Sequence, residues 1–333
     1  MKRVLKTMAL LIAIAILAFG IFLYYAIGPG ISESKLPRSG ILALGEATAP
    51  PAKPDRITVV SYNIGYGSGL KNNQEPATEA EVRANLQRMA SDLQQLKPDL
   101  LFLQEVDFYS RRSFDVDQMR YLAEKLGLAH GAYVLTWNKN YVAWPYWPPD
   151  RHFGRVVSGQ AVLSRFPIQS QQLIEFPKPP NNPFWYNWFY LDRIVQHLIL
   201  DLGGEQVSVY NLHLEAFSAA TREEQIGQLG RLIKADPFPA KIAAGDFNLA
   251  DPIVPDREDS DRDLKGLLKV FAANTGLSPF KAEAPFYSMP SSGAYKLIDH
   301  IFYSPGFRLE KAGNIADSTA SDHLAVWAIL SPL

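Results

Sequence analysis

Residues 7–27 of MKRVLKTMALLIAIAILAFGIFLYYAIGPG carry no charge and are almost all apolar. Such a run is about twenty residues long, and as a helix it would measure about 30 Å, the hydrocarbon thickness of a bilayer. Lys2, Arg3 and Lys6 stand before it. A basic flank stays on the cytoplasmic side, so the rest of the chain is expected outside the cytoplasm. A cleaved signal peptide has a shorter apolar core, of about 7–15 residues, and a small-residue cleavage site. Ala26-Ile27-Gly28 supplies such a site only in part. A buried core helix would not be preceded by three cations. Residues 1–28 therefore read as a signal-anchor that spans the membrane once, N-terminus inside.

Residues 29–55 are rich in Pro, Gly, Ser and Ala and read as a linker. Residues 56–333 then form one large domain, and 47% hydrophobic residues in a chain of 333 supply a sizeable core. Lys+Arg 33 against Asp+Glu 34 leaves a net charge of -1, so no global basic footprint points to nucleic acid. Cys 0 removes disulfides, thiolate nucleophiles and cysteine metal sites together.

Within the domain, strands and helices alternate. A strand is predicted over 57–62. Thr78 and Glu81 form a capping-box pattern, followed by an apolar helical face of Val82, Leu86, Met89, Leu93 and Leu96. Pro98 ends that helix, 100–103 reads as a short strand, and 118–126 as a helix stopped by Gly127. GQAVLSRFPI and RIVQHLILDLGGEQVSVYNLHLE give three strands, the last two joined at Gly203-Gly204. Thr221 and Glu224 predict a second capping box and a helix to Lys234. A helix over 264–274 and strands over 297–303 and 324–330 complete the pattern. Hairpin-like pairs among helices mean a mixed sheet architecture.

Polar residues gather at the strand ends. Asn63 follows the first strand, Gln104 and Glu105 the second, His213 another, and Asp246 and Asn248 end IAAGDFNLA. Asp299 lies in LIDHIFYS, and Asp322 and His323 precede the last strand. Singly, each has an ordinary alternative. Asp246 and Asn248 suit an Asx turn, although in an extended segment both would point to one side. Glu105 could be a surface charge and His213 a satisfied imidazole. Together they hold the parts for metal-assisted attack on a phosphoester. A hard cation such as Mg²⁺ takes one or two carboxylates and keeps waters. A carboxylate braced by an amide can orient the attacking water, and imidazoles can meet phosphoryl oxygens. No nucleophile elbow, Walker loop or HExxH helix is present.

The ordered set YNIGYG, LQEVD, NLHLE, GDFN, IDHIF and SDHLA resembles the endonuclease/exonuclease/phosphatase family, from about residue 57 to the C-terminus. That family includes pancreatic-type deoxyribonucleases, apurinic endonucleases, sphingomyelinases and inositol polyphosphate 5-phosphatases. The resemblance implies an α+β, four-layer sandwich: two mixed β-sheets packed face to face, with helices on the outer faces. It implies Glu105 as the central Mg²⁺ ligand (Mn²⁺ as an alternative), with Asn63 close by and Asp322 as a further ligand. Asp246 resembles the residue that activates or orients water, and Asn248 its supporting amide. His323 resembles the catalytic histidine at the phosphate, oriented by Asp299. His213 resembles the second histidine of the deoxyribonuclease and sphingomyelinase branches. Some members carry an acidic ligand two residues beyond the first Asn, where this chain has Gly65. One metal site is thus implied and a second left open. The usual Tyr after the Asp of the fifth motif is His300, which in a strand points away from Asp299 and reads as structural, as does His197.

Fold does not name the phosphoester. TWNKNYVAWPYWPP and NNPFWYNWFYLDR are aromatic and lack clean periodicity, so loops or a protruding hairpin are expected there. Trp and Tyr suit the membrane–water interface. Packing beneath long loops is the plain alternative, and base stacking is another use, though Lys139, Arg151 and Arg155 make only a modest basic groove. With the anchor, these segments favour a phospholipid or sphingolipid headgroup phosphodiester. An extracytoplasmic nuclease is the runner-up, and a catalytically silent membrane-tethered binding module the alternative from another class.

Overall fold

The computed structural model describes residues 1–45, 52–71, 75–250, 264, 266–282 and 286–333. Its first element, α1 (Lys2–Ile27), is one unbroken helix whose apolar side chains are nearly all exposed. A helix this long and apolar meets the requirement for crossing a membrane, which an anchor and a signal sequence share.

Two mixed sheets make up the domain. The larger has seven strands in the order β1 (Ser39–Ala43), β4 (His130–Val142), β5 (Gly154–Ser164), β3 (Leu100–Asp107), β2 (Ile57–Asn63), β13 (Val326–Pro332) and β12 (Phe307–Asn314). The smaller has six, in the order β10 (Ser278–Pro279), β11 (Asp299–Tyr303), β9 (Lys241–Asp246), β8 (Gln206–His213), β7 (Ile194–Asp201) and β6 (Ile168–Glu175). The pairs β2–β3 and β8–β9 are parallel and the other named pairs antiparallel. Helices α2 (Glu79–Leu96) and α3 (Gln118–Leu126) cover the larger sheet; α5 (Ala219–Ala235) and α6 (Leu267–Thr275) cover the smaller. A single turn, α4 (Phe184–Asn187), stands in the second aromatic segment. This is the expected α+β sandwich of four layers.

Strand alternation builds the layers. Ile57, Val59, Leu100 and Phe102 point inward and meet Leu198, Val209, Ile242 and Ile301 of the other sheet. Their neighbours Val60, Tyr62, Leu101 and Leu103 point outward, onto Val82, Leu86, Met89 and Leu122. On the smaller sheet Leu212, Ala243 and Phe302 meet Ile226, Leu229 and Phe271 in the same way. The phase matters for function: continuing the inward count past Ile57 and Val59 reaches Ser61 and Asn63, and past Ile242 and Ala244 reaches Asp246.

The Thr78 capping box forms, with Thr78 Oγ1 accepting from Glu81 N and the Glu81 carboxylate accepting from Thr78 N. The second expected box moves. Ser218, not Thr221, caps α5, and Thr221 is buried in its first turn with its own N–H bonded to Ser218. The stretch expected as a linker is largely docked: residues 39–43 form an edge strand on β4. Its Gly40 lies against the Tyr133 ring, where a Cβ would sit 2.9 Å from Cε1, so the glycine reflects close packing and not looseness. The part of that stretch at 46–51 lies outside the described residues, as does 265 in the helix expected over 264–274, of which α6 is the described part.

Phe102→Ala should lower unfolding free energy by about 3–5 kcal/mol, since it empties a fully buried site between the sheets. Thr78→Ala should cost about 1 kcal/mol. Denaturant melts of the detergent-solubilised chain measure both, and equal effects would contradict the layering described.

Candidate active site

Four strand ends bring polar side chains to one mouth of the sandwich. Asn63 ends β2, His213 ends β8, Asp246 ends β9 and Asp299 begins β11, all in the inward phase. Register places Asp246 beside His213 on the parallel side and opposite Asp299 on the antiparallel side. Asn63 Nδ2 donates to Asp246 Oδ2 at 3.1 Å and to Glu105 Oε1 at 3.2 Å, and so joins the two sheets' carboxylates. Its Oδ1 accepts from Gly65 N at 3.1 Å, which fixes the amide's direction.

Glu105 reaches this point by breaking the alternation. Leu101 and Leu103 face outward, so a regular strand would aim Glu105 at α2 and α3. Instead β3 shifts register against β5 between Leu103 and Val106, and Glu105 takes a left-handed φ of 52°. Such a bulge re-aims one side chain within a strand, and left-handed non-glycine residues cluster where function holds them.

The SDH loop closes the mouth. Ser321 Oγ donates to Asn63 O at 2.8 Å and accepts from His323 N at 3.2 Å. His323 Nδ1 bonds Asp299 Oδ2 at 2.8 Å, leaving Nε2 3.8 Å from Asp246 Oδ2. His213 Nε2 lies 3.4 Å from the same oxygen. Asp322 stands over Gly65, where a Cβ would be 3.2 Å from Asp322 Oδ1. That contact and a φ of 48° explain the glycine at this position.

The two histidines differ in charge. Burial alone would lower His323, but Asp299, Asp246 and Asp322 outweigh it and hold the imidazolium well above the ordinary histidine range. Burial, then Arg193 and His323, push His213 well below it, so His213 is neutral. Burial, and next Asp299, push the Asp246 carboxyl up from its usual range, opposed by His323, Asn248 N and Asn63. Burial, then Asp322, likewise raise Glu105.

Two arrangements of ligand atoms suit a metal. Asp246, Asp299 and His323 form a buried group whose atoms lie within 4.8 Å of one another and could hold an ion. Within it, His323 Nδ1 is already committed to Asp299, and Asp299 Oδ1 has no partner. Glu105 and Asp322 are the second: Asp322 adds to the cost of ionising Glu105, and the two offer oxygen donors only, which suits a hard divalent cation. Asn63 offers Glu105 its Nδ2, so as a ligand its amide would have to turn over.

Asn248 departs from expectation. Its φ of 50° ends the extended run, and its N–H bonds Asp246 Oδ1 at 2.8 Å while Nδ2 bonds Leu214 O at 3.0 Å. The Asx turn and the site are therefore the same feature: the backbone, not the side-chain amide, braces Asp246. His300 points outward and bonds Leu249 O, and His197 bonds Ser208, both as expected of structural residues. Sequence reasoning missed Arg112, buried in a bidentate pair with Asp107 and lying 3.6 Å over the Tyr66 ring beside Glu105. Gln104 was noted at its strand end without a partner; it forms an amide floor one pleat below, its Nε2 donating to Asn211 Oδ1 at 2.8 Å across the sheets, and Asn211 was missed. Inward phase at 104 and 211 was the available signal.

The profile of the Endonuclease/Exonuclease/phosphatase family matches residues 60–323. Among curated proteins none matches. Solved structures share the fold: an endonuclease/exonuclease/phosphatase from Beutenbergia cavernae (24% identity, TM-score 0.60, 84% of this chain and 72% of that one), a family protein from Bacteroides thetaiotaomicron (20%, 0.56, 83% and 97%), and the human Nocturnin catalytic domain with bound sulfate anion (20%, 0.53, 89% and 97%).

In metal-free protein, Asp299→Asn should bring the His323 titration midpoint down toward or below the ordinary value, because the imidazolium loses its nearest anion. Imidazole NMR resonances followed with pH measure it. An unchanged midpoint would contradict the assignment.

Proposed function

The chain belongs to the endonuclease/exonuclease/phosphatase family and is a phosphoesterase, and from that premise we propose a membrane-anchored, metal-dependent phosphodiesterase. The observation that carries the reading is the convergence of Asn63, His213 and His323 on one oxygen, Asp246 Oδ2. A binding module has no use for a buried carboxylate so surrounded.

We assign Glu105, with Asp322 and Asn63 beside it, to a divalent cation, Mg²⁺ or Mn²⁺. Bound there, the ion would neutralise phosphoryl charge and stabilise the leaving oxygen. Asp246 is the group that takes the proton of the attacking water. Its Oδ1 accepts from Asn248 N and its Oδ2 from Asn63 Nδ2, so the water is assigned to the remaining lone pair of Oδ2, on the side of His213 and His323. Water oxygen bonds to phosphorus as the ester P–O bond breaks. His323 meets the phosphoryl group with the Nε2 proton, its Nδ1 side pinned by Asp299. His213, neutral and 3.4 Å from Asp246, can hold a hydrogen bond to water or phosphoryl oxygen without competing for the cationic role. Keeping neighbouring titratable groups in opposite states is how one site supplies both an acid and a base.

We further read residues 1–28 as the anchor, with the domain from about 56 onward on the extracytoplasmic side, and a phospholipid or sphingolipid headgroup as the phosphodiester. The apolar helix α1 and the exposed aromatic segments support that choice over nucleic acid.

Asp246→Asn and His323→Ala should each lose at least about a hundredfold in rate on a small soluble phosphodiester, the scale of general acid–base groups. EDTA should abolish wild-type turnover, and Mg²⁺ or Mn²⁺ should restore it. Full activity in excess EDTA, or near wild-type turnover in His323→Ala, would remove the mechanism.

A further inference from the structure

Helix α1 joins the domain before the helix ends. The Phe22 ring meets Tyr141 edge-on, with centroids 5.4 Å apart, and Ala26 is buried. The carbonyls of Tyr25 and Ile27 accept from Asn140 Nδ2 and Lys139 Nζ, each at 3.1 Å. Beyond the helix, Asn140 N donates to Gly28 O at 2.8 Å, and Asn138 bonds both Ile31 N and Ile31 O. Phe22 lies about 7 Å along the axis from Ile27. If residues 7–27 fill the about 30 Å apolar layer, Phe22 lies inside its outer margin, and Tyr141 must lie beside it. The far end of β4 is then at the depth of the bilayer surface.

The chain beyond β4 suits that place. Residues 143–149 carry Trp144, Tyr146 and Trp147, and the adjoining segment carries Phe184, Trp185 and Trp188. Asp192 N bonds Thr136 O at 2.8 Å and Trp137 Nε1 bonds Phe189 O at 2.7 Å, which ties the second segment to β4. All six rings are exposed, Trp147 at 79% and Phe184 at 72%. They pair with one another, Trp144 on Tyr146 and Phe184 on Trp188, and do not fill a core. Two cations of the modest basic groove are already engaged, Lys139 bonded to α1 and Arg155 paired with Asp115, which weakens the case for nucleic acid. Pro145 and residues 150–153 also wall a cavity of about 180 Å³ whose other wall holds Tyr66 and Arg112, the neighbours of Glu105.

We infer that this aromatic cap is a bilayer-contacting surface which, with the docked end of α1, holds the mouth of the active site at the lipid headgroup layer. The inference rests on the anchor reading above. It adds that the domain does not swing on a tether: one face, set by β4, is pressed to the membrane. The partner is the lipid bilayer itself, through apolar rings that enter the interface and leave the reacting groups dry of acyl chains.

The test uses the full chain carrying Asp246→Asn, reconstituted in phosphatidylcholine/phosphatidylglycerol vesicles with lipids brominated near the headgroup. Cap tryptophans at the interface should lose roughly half their fluorescence, as expected of indoles at headgroup depth. Replacing Trp144, Trp147, Trp185 and Trp188 by Phe should remove the quenched signal and leave only that of Trp137 and Trp327, with the apolar surface kept. In the otherwise wild-type chain, Trp147→Lys with Trp185→Lys should lower hydrolysis of vesicle lipid about tenfold while a small soluble phosphodiester is turned over as before. Carbonate-resistant membrane association with no quenching would overturn the docked pose while leaving the anchor standing. Salt-dependent quenching by an oligonucleotide, with none by lipid, would overturn it in favour of nucleic acid. Because quenching is read in the Asp246→Asn chain, it succeeds or fails independently of the catalytic reading.

Discussion

Asp246 and Asp299 are buried carboxylates placed directly opposite one another on adjacent antiparallel strands, and His323 lies between them. Like charges so opposed destabilise a sheet, and in a dry interior the cost rises. The imidazolium offsets it by bonding Asp299 through Nδ1 and facing Asp246 with Nε2. The pair fixes the orientation of the ring, and Asn63 Nδ2 and Asn248 N donate to Asp246 Oδ2 and Oδ1. Removing any one leaves an uncompensated buried charge. The loop that carries His323 is in turn clamped to β2 by Ser321, so the two sheets share one electrostatic problem at their common mouth.

Much of this was legible because it keeps a period of two. Asn63, His213, Asp246 and Asp299 each continue the inward count of their strand, so an apolar run that ends in a polar residue of the same phase is enough to find them. Glu105 could not be found that way. Its phase is outward, and only the bulge at 103–106 turns it in; no local pattern in LFLQEVD signals a register shift, so its place at a strand end marked it as a candidate and the resemblance to a known family gave it a role. Asn248 was found for a reason that did not hold, since its left-handed backbone lets the main chain do the bracing. Ser218 displaced Thr221 as a cap because both residues suit an N-cap, and tertiary burial of Thr221 decided between them. Arg112 stayed hidden because its value lies in partners no pattern singles out, Asp107 five residues before it and the distant Tyr66 ring, which the fold brings together.

The membrane side and the chemical side meet on β4 and the chain beyond it. β4 receives α1 on its far end, and the loop beyond it carries one wall of the cavity beside Glu105. If α1 spans a bilayer as proposed, this single long strand relates the depth of the helix to the position of the mouth. The glycines nearest the site have the same origin: Gly65 leaves room for Asp322, and Gly245, whose Cβ would fall 2.0 Å from Leu212 O, lets β8 and β9 approach beside His213 and Asp246.

The proposed mechanism divides labour within the mouth, with the cation assigned to the Glu105–Asp322 side and the water to the Asp246–His323 side. Mn²⁺ binding followed by electron paramagnetic resonance tests this division most directly, because it reads the metal without turnover. Glu105→Gln should abolish tight Mn²⁺ binding, while His323→Gln and Asp299→Asn should retain it with activity lost. Retention in Glu105→Gln together with loss in Asp299→Asn would put the ion in the Asp246–Asp299–His323 group and contradict the division.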